Sequence, residues 1–225
     1  MDLNEKSILV VGGSGVLGGE LVKILSSKGA RVLATARTAE TAARIPVEAQ
    51  LRLLVDLGDS ASIRVLTDYL SANEPVDGII LAAGRVGFGM AAETSEGDVS
   101  TLTQVNFLGP AQLLASLAPS LKGREDAFVA AITGVVAEKS FPGMSAYSAS
   151  KSALSAWLGS VALEWRRDKI RVVDLRPGHT ETGLATRPLF GSAPQMPTGM
   201  SPEHVAQAIV SAIESGATVV SSSEF

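Results

Sequence analysis

Tyr147 and Lys151 lie four residues apart at the start of a long segment whose apolar residues recur at helical spacing. On an α-helix, positions i and i+4 share one face, so a phenol and an ammonium can serve the same site. A nearby cation favours the phenolate and lowers the tyrosine pKa from its reference value of about 10. The pair predicts a tyrosine that exchanges protons with a substrate; a solvated helix pair is the alternative interpretation of this spacing.

A glycine-rich turn near the N-terminus is the second group of residues that could do chemistry. It follows the β-branched apolar run 7–11 and precedes residues at helical spacing. Glycines at such a turn permit a tight bend and close approach of a pyrophosphate to a helix start. The motif predicts a phosphate site, and an ordinary strand-to-helix turn is the alternative. The candidate residues are Gly12, Ser14, Gly15, Val16, Leu17 and Gly18.

The end of the second predicted strand, 31–37, bears on which dinucleotide would fit. In NAD-selective folds an acidic residue near this strand end binds the ribose 2′-hydroxyl, whereas an arginine accommodates a 2′-phosphate. Here the strand ends in Ala36-Arg37, with no acid. We therefore expect NADP(H), with NAD(H) as the less favoured cofactor; a solvated charge is the alternative role for Arg37.

Strands and helices are predicted to alternate along the whole chain. Further apolar runs predict strands at 51–55, 76–83, 127–133, 170–175 and 217–220, with helices between them and a final helix over 201–215. This pattern predicts an α/β fold, a single-domain Rossmann fold whose doubly wound, seven-stranded parallel sheet carries helices on both faces. We expect one domain over 1–225, with a mobile loop at 183–200.

Small or polar residues follow several of the strands. The turn Ala82-Ala83-Gly84 follows the fourth strand and could let a flat ring approach the backbone. Asn106 lies within a helical segment over 98–121 that is interrupted at Gly109-Pro110. Because proline removes a helical hydrogen bond, distortion is expected near Asn106. A functional role and a solvent-facing side chain both remain open for it.

Composition excludes several classes of function. The net charge is −4 and the 19 Lys and Arg residues are scattered, so no nucleic-acid or anionic-membrane partner is expected. The chain has no cysteine, which excludes disulfides and thiolate chemistry. It has only two histidines, and we expect no metal site. The N-terminus has no basic lead and its apolar run is short, which predicts a cytoplasmic soluble protein.

Taken together, these motifs occur in the order typical of the short-chain dehydrogenase/reductase family, which the chain resembles over essentially its whole length. The resemblance implies a nicotinamide dinucleotide, Tyr147 as general acid/base, and Lys151 holding the nicotinamide ribose while lowering the tyrosine pKa. It implies that Asn106 supports a water in a proton relay. The remaining cofactor-site residues that it implies are Asp56 and Leu57 at the adenine, Ala82, Ala83 and Gly84, Pro177 and Gly178, and Thr180 or Thr182 at the nicotinamide amide.

The chain departs from the family pattern in its glycine motif, its fourth-strand turn and its short final loop. Val16 stands where the middle glycine is usual, and Leu81-Ala82 replaces a pair of asparagines. The most serious departure is Gly134, at the position thirteen residues before Tyr147 where the family has a catalytic serine.

The hydroxyl missing at Gly134 would polarise the substrate carbonyl, and removing one such donor costs about 10²–10³ in rate. The adjacent Thr133 could replace it if the strand end is twisted or bulged, because neighbouring side chains on a strand point to opposite faces. Ser145 is the other candidate.

Our leading hypothesis is an NADP(H)-dependent oxidoreductase that interconverts a carbonyl and an alcohol on a small molecule. The alternative, which Gly134 supports, is a dinucleotide-binding protein with little or no turnover that serves as a sensor or assembly subunit. The broad apolar surface of the Tyr147 helix predicts a homodimer or homotetramer with Trp157 and Trp165 in the interface.

Overall fold

The computed structural model describes residues 1–225 and contains one sheet flanked by helices. The strands are β1 (Ser7–Val11), β2 (Arg31–Ala36), β3 (Leu51–Leu54), β4 (Gly78–Leu81), β5 (Phe128–Ile132), β6 (Arg171–Leu175) and β7 (Val219–Val220). The helices are α1 (Val16–Ser27), α2 (Ala39–Ala42), α3 (Ser60–Asn73), α4 (Glu96–Thr103), α5 (Gly109–Leu121), α6 (Ser145–Trp165) and α7 (Pro202–Ser215). No helix combines the length and the apolar character needed to cross a bilayer.

The seven strands lie in the order β3-β2-β1-β4-β5-β6-β7, and every neighbouring pair is parallel. The order reverses between β1 and β4, and in open sheets of this kind ligands bind outside the carboxyl ends of the strands near such a reversal. The predicted single-domain Rossmann fold with a seven-stranded parallel sheet is confirmed. All strand carboxyl ends therefore meet at one edge.

The side chains of β1 explain why helices cover both faces of the sheet. Ile8 and Val10 point into one core cluster, shared with α1 and α7. Leu9 and Val11 point into a second cluster, shared with α3, α5 and α6. Burying each such side chain contributes roughly 1.5–3 kcal/mol, so both faces of a strand without polar residues require a covering layer.

The interrupted helix expected over 98–121 consists of α4, a π-helical turn at Gln104–Leu108, and α5. Pro110 has no N–H to donate to the Asn106 carbonyl four residues earlier, which accounts for a break at this point. Asn106 is only 1% exposed, so the solvent-facing alternative for its side chain is wrong.

The segment 183–200 contains no helix or strand, as its lack of periodicity predicted. It is nevertheless attached at both its base and its tip. At the base, the Met200 amide donates to the His179 carbonyl (2.9 Å), and near the tip the Leu189 amide donates to the Val86 carbonyl (2.7 Å). The loop is therefore tied across the end of β4.

Candidate active site

The residues that the sequence singled out for chemistry follow the carboxyl ends of six adjacent strands. The glycine turn follows β1, Arg37 follows β2 and Asp56 follows β3. Gly84 closes the turn after β4, Thr133 follows β5, and Pro177-Gly178 follows β6. The parallel sheet brings these turns to one edge, where α6 and the π-helical turn add Tyr147, Lys151 and Asn106.

The glycines of the first turn allow neighbouring backbone to approach very closely. Gly12 has a φ of 92°, and a Cβ there would lie 2.8 Å from the Ala83 amide nitrogen. A Cβ at Gly18 would overlap the Gly12 carbonyl oxygen. The first turn of α1, which begins after Gly15, has neither a side-chain cap nor an acidic residue. Its free amides and positive dipole end suit a phosphate, so the turn fits a dinucleotide.

The strand ends beside the glycine turn carry the residues expected at the adenosine half of a dinucleotide. Arg37 is exposed directly after β2. Asp56 lies after β3, where its Oδ1 accepts a hydrogen bond from the Gly58 amide (2.8 Å). Leu57 is buried. An exposed guanidinium at this strand end can reach a phosphate, whereas no carboxylate stands at the end of β2 itself to oppose one.

Lys151 lies at the centre of the edge and is 5% exposed. Its Nζ donates to the Ile132 carbonyl at 2.7 Å. A Cβ at Gly84 would come within 3.2 Å of Lys151 Nζ and 3.3 Å of Asn106 Oδ1, so the turn after β4 passes directly beside both side chains. Only a residue without a side chain fits there without displacing them.

The Asn106 side chain is fully engaged with its neighbours. Its Oδ1 accepts from the Arg85 amide (2.9 Å), while its Nδ2 donates to the Arg85 carbonyl (2.8 Å) and to Ser150 Oγ (3.0 Å). The amide thus joins the turn after β4 to the residue preceding Lys151 on α6. Its direct effect is to fix the spacing between Gly84 and Lys151.

Burial sets the protonation of the tyrosine and the lysine. It raises the pKa of Tyr147 to about 12, with no opposing effect of Lys151. Burial lowers the pKa of Lys151 to about 8, against the opposing charge of Asp174. The expected lowering of the Tyr147 pKa by Lys151 is therefore wrong for the protein alone, because the ammonium bonds the Ile132 carbonyl. Tyr147 is protonated at neutral pH.

Thr133 does not replace the missing serine. Its side chain is fully buried, and its Oγ1 donates to Asp174 Oδ1 (2.5 Å) and to the Leu175 carbonyl (3.3 Å). The hydroxyl is thus committed to β6 and is not available to a substrate. The proposed catalytic role of Thr133 is wrong because its side chain points into the core toward Asp174.

We expect Thr133→Val to lower the free energy of unfolding by about 1–3 kcal/mol, because it removes a buried donor to Asp174. Any loss of turnover should be far smaller than the factor of about 10²–10³ expected if the Thr133 hydroxyl polarised the carbonyl. Denaturant unfolding and steady-state turnover of the same preparation measure the two effects. Thr67→Val is the matched control, since Thr67 is buried on α3 and its hydroxyl bonds only the Arg64 carbonyl. A loss of turnover by about 10²-fold or more in a folded Thr133→Val protein would contradict the assignment.

Gly134 and Ser145 are the other two positions that bear on the missing hydroxyl. Gly134 has a φ of 80°, and a Cβ there would meet nothing closer than the Pro177 carbonyl oxygen at 3.7 Å. The position therefore offers open space beside the Pro177-Gly178 turn. Ser145 is exposed at the first residue of α6, and positions i and i+2 of a helix do not share a face with each other. The Ser145 side chain thus does not point in the same direction as the Tyr147 side chain.

One wall of the site, formed by the segment 84–89, was not predicted from the sequence. This segment starts beside Lys151, and its far end is fixed where the Gly89 amide donates to the Gly143 carbonyl (2.8 Å). The Phe190 ring lies against Gly87, where any Cβ would overlap it. The 183–200 loop therefore presses an aromatic ring onto this wall. The glycines at 87 and 89 were the only local signal.

Asp174 is a second residue that the sequence analysis missed. It is 5% exposed within β6, and it accepts hydrogen bonds from Thr133, Ser155 and Arg176. The available signal was a single acid inside the apolar run 170–175. No group of three or more His, Cys, Asp or Glu side chains is arranged to hold a metal ion.

Comparison with known proteins gives a consistent family and fold. The profile described as short chain dehydrogenase matches residues 6–188. The chain is 28% identical over 230 residues to the Dehydrogenase/reductase SDR family protein 7-like of Anopheles gambiae, across 94% of this chain and 73% of that protein.

Two solved structures show the same fold at low sequence identity. A short chain dehydrogenase from Burkholderia cenocepacia in complex with NADP superposes with a TM-score of 0.86 at 20% identity, over 98% of this chain and 89% of that one. A short chain dehydrogenase/reductase from Burkholderia phymatum in complex with NAD also gives 0.86 at 20% identity, over 99% and 90% of the two chains. Proteins of this fold thus hold either nicotinamide dinucleotide.

Proposed function

Because the chain belongs to the short-chain dehydrogenase family, we propose that it is an NADP(H)-dependent oxidoreductase that interconverts a carbonyl and an alcohol on a small molecule. The observation that supports this most strongly is the juxtaposition at Gly84, where the turn after β4 passes within reach of Lys151 and beside the glycine turn of β1. Consumption of NADPH with a panel of aldehydes, ketones and quinones tests the proposal.

In the proposed mechanism, Tyr147 donates the proton and Lys151 compensates the charge left on the phenolate. A bound nicotinamide would supply or accept the hydride. Burial raises the pKa of Tyr147 to about 12, so Tyr147 holds its proton in the neutral range and is in the form that a general acid requires. Asn106 positions the reacting groups by fixing Arg85 and Ser150.

For cofactor choice, we propose that Arg37 binds the 2′-phosphate of NADP(H), because it is exposed at the end of β2 and that strand does not end in an acid. The glycine turn would hold the pyrophosphate. Asp56 and Leu57 would contact the adenine, and Thr180 or Thr182 the nicotinamide amide, as the family resemblance implies. Both threonines are partly buried beside the Pro177-Gly178 turn.

The double variant Ala36→Asp, Arg37→Ala should change the ratio of NADPH to NADH affinity in favour of NADH by at least about tenfold. It removes a charge-assisted hydrogen bond worth roughly 1.5–3 kcal/mol and adds a carboxylate that repels the 2′-phosphate. Titration of both dinucleotides by intrinsic fluorescence measures the ratio. If the unmodified protein already binds NADH as tightly as NADPH, the assignment of Arg37 is wrong.

We also propose a homo-oligomer, most simply a two-fold dimer, that uses α6. The Trp157 and Trp165 rings pack edge to face at 5.7 Å and lie partly buried against the core. Leu163 is 76% exposed on the same helix, and Leu108 and Val99 are exposed on the π-helical turn and α4. Apolar side chains exposed on neighbouring helical elements suit an isologous contact.

The measurement for the oligomer is light scattering at micromolar concentration, where we expect a dimer or tetramer. Leu163→Glu should shift the protein toward the monomer without unfolding it, because a charge buried in an apolar contact is costly. Val65→Glu is the control, since Val65 is similarly exposed on α3. A monomeric unmodified protein would refute the proposed interface.

Gly134 favours a second candidate function, a dinucleotide-binding protein with little or no turnover that acts as a sensor or assembly subunit. Neither Thr133 nor Ser145 supplies the missing hydroxyl, which supports this alternative. The retention of Tyr147, Lys151 and Asn106 argues against it, because binding alone does not require a proton donor. Binding of NADPH without its oxidation by any carbonyl class would favour this candidate.

A further inference from the structure

Asp174 has the most extensive set of side-chain hydrogen bonds near the site. Its Oδ1 accepts from Thr133 Oγ1 (2.5 Å), and its Oδ2 accepts from Ser155 Oγ (2.6 Å). The same Oδ2 accepts from Arg176 Nε (2.9 Å) and Nη2 (2.7 Å). Every partner is a donor, which is the arrangement that an ionised carboxylate requires when it is removed from water.

These bonds connect three elements that surround Lys151. Thr133 follows Ile132, whose carbonyl accepts the Lys151 ammonium. Ser155 lies four residues after Lys151 on α6, and so on the same helical face. Arg176 directly precedes the Pro177-Gly178 turn. The Asp174 carboxylate thus connects the end of β5, helix α6 and the turn after β6 to one another.

Asp174 is the charged group that acts on Lys151. Its Oδ2 accepts from Ser155, one helical turn after Lys151 on α6, and its charge opposes the lowering of the Lys151 pKa by burial. Arg176 pairs with Asp174, and Arg176 Nη1 lies 3.8 Å from Glu138 Oε1. Tyr147, on α6, is protonated and neutral. Together with Lys151 these groups comprise two carboxylates and two cations as long as Lys151 keeps its proton. Lys151 has no carboxylate of its own within ion-pair distance, so it depends on Asp174 for compensation.

We propose that Asp174 is a positioning residue that keeps Lys151 protonated and holds α6 against the turns after β5 and β6. The consequence for turnover rests on the proposed function, whereas the protonation of Lys151 is a property of the protein alone. Burial lowers the pKa of Lys151, and the Asp174 charge raises it. Since the lysine is charged below its pKa, the ammonium is present at neutral pH and is lost as the pH rises through about 8.

The test is Asp174→Asn, which keeps the shape of the side chain and removes its charge. The seven lysines of the chain allow the titration of ¹³Cε-labelled Lys151 to be followed by NMR, with its signal assigned by Lys151→Arg. We expect the Lys151 midpoint to fall by about one pH unit or more, as is usual when a neighbouring opposite charge is lost. The exposed Lys122, paired with Asp168, should not move.

Two further variants separate charge from structure. Ser155→Ala removes a hydrogen bond to Asp174 but keeps its charge, so the Lys151 midpoint should change much less. Arg176→Gln removes the cation that competes with Lys151 for Asp174, so the midpoint of the Lys151 titration should rise. This variant also tests the proposal if Asp174→Asn does not fold. An unchanged midpoint in folded Asp174→Asn, or a fall in Arg176→Gln, would overturn it.

The pH profile of turnover gives the functional readout. We expect kcat/KM for carbonyl reduction to fall as the pH rises through about 8, and Asp174→Asn to move this falling limb to lower pH by the same shift seen for Lys151 in the NMR titration. A shift of the NMR midpoint without any measurable turnover would support the role of Asp174 and reject the proposed function. A falling limb that stays in place while the midpoint moves would overturn the functional part of the inference.

Discussion

Tyr147→Phe should reduce turnover by about 10²–10⁴-fold while leaving the affinity for NADPH nearly unchanged. The change deletes one oxygen, and burial holds that oxygen in its protonated form across the neutral range. The ring remains, so the packing of α6 is almost unaffected. Steady-state kinetics and a fluorescence titration of NADPH measure the two effects separately.

The chain contains only one other tyrosine, which provides the matched control. Tyr69 lies on α3 and is partly exposed, so Tyr69→Phe should leave both turnover and affinity as they are. Undiminished turnover in Tyr147→Phe would show that the proton comes from another group. Loss of NADPH affinity of the same size as the loss of turnover would show that the ring oxygen serves binding instead.

Gly134→Ser should raise turnover by up to about 10²-fold, because it restores a donor of the kind whose removal costs about 10²–10³ in other enzymes. A Cβ at this position meets open space, with the Pro177 carbonyl oxygen 3.7 Å away. The φ of 80° makes any side chain unfavourable, at a cost of roughly 1–2 kcal/mol in stability. Turnover should therefore rise, while the free energy of unfolding measured with denaturant should fall.

Gly134→Ala is the control for that experiment, because it introduces the same strain without a hydroxyl. We expect the alanine variant to lose stability like the serine variant and to gain no activity. Equal turnover in the two variants would mean that carbonyl polarisation does not come from this strand end. Inactivity of both, with NADPH still bound, would strengthen the non-catalytic alternative.

The fold and the general position of the site followed from local sequence patterns. Gly12 and Gly18 lie between an apolar run and a helical pattern, and their need for close backbone contact is a local property of the turn. Tyr147 and Lys151 are four residues apart on one helix, so their common face follows from helical geometry. Parallel strands then bring these separate turns to one edge.

The features that the sequence could not predict depend on packing between distant segments. The direction of the Thr133 hydroxyl depends on Asp174, which is 41 residues later in the chain. The pKa of Tyr147 depends on how deeply the folded protein buries the phenol, which the residue types alone do not specify. The contact of Phe190 with Gly87 joins two loops that have no shared pattern. No local sequence pattern therefore predicted that the Thr133 side chain faces the core or that Phe190 packs against Gly87.

Transfer of deuterium from labelled NADPH to a carbonyl substrate is the most direct test of the proposed activity. The protein would be incubated with NADPH carrying deuterium at the hydride position and the aldehydes and ketones of the panel, and the products analysed by mass spectrometry. We expect an alcohol with one deuterium on carbon from at least one of these two classes, formed by the unmodified protein and hardly at all by Tyr147→Phe. Binding of NADPH with no deuterated alcohol from any aldehyde or ketone would show that the proposed activity is wrong.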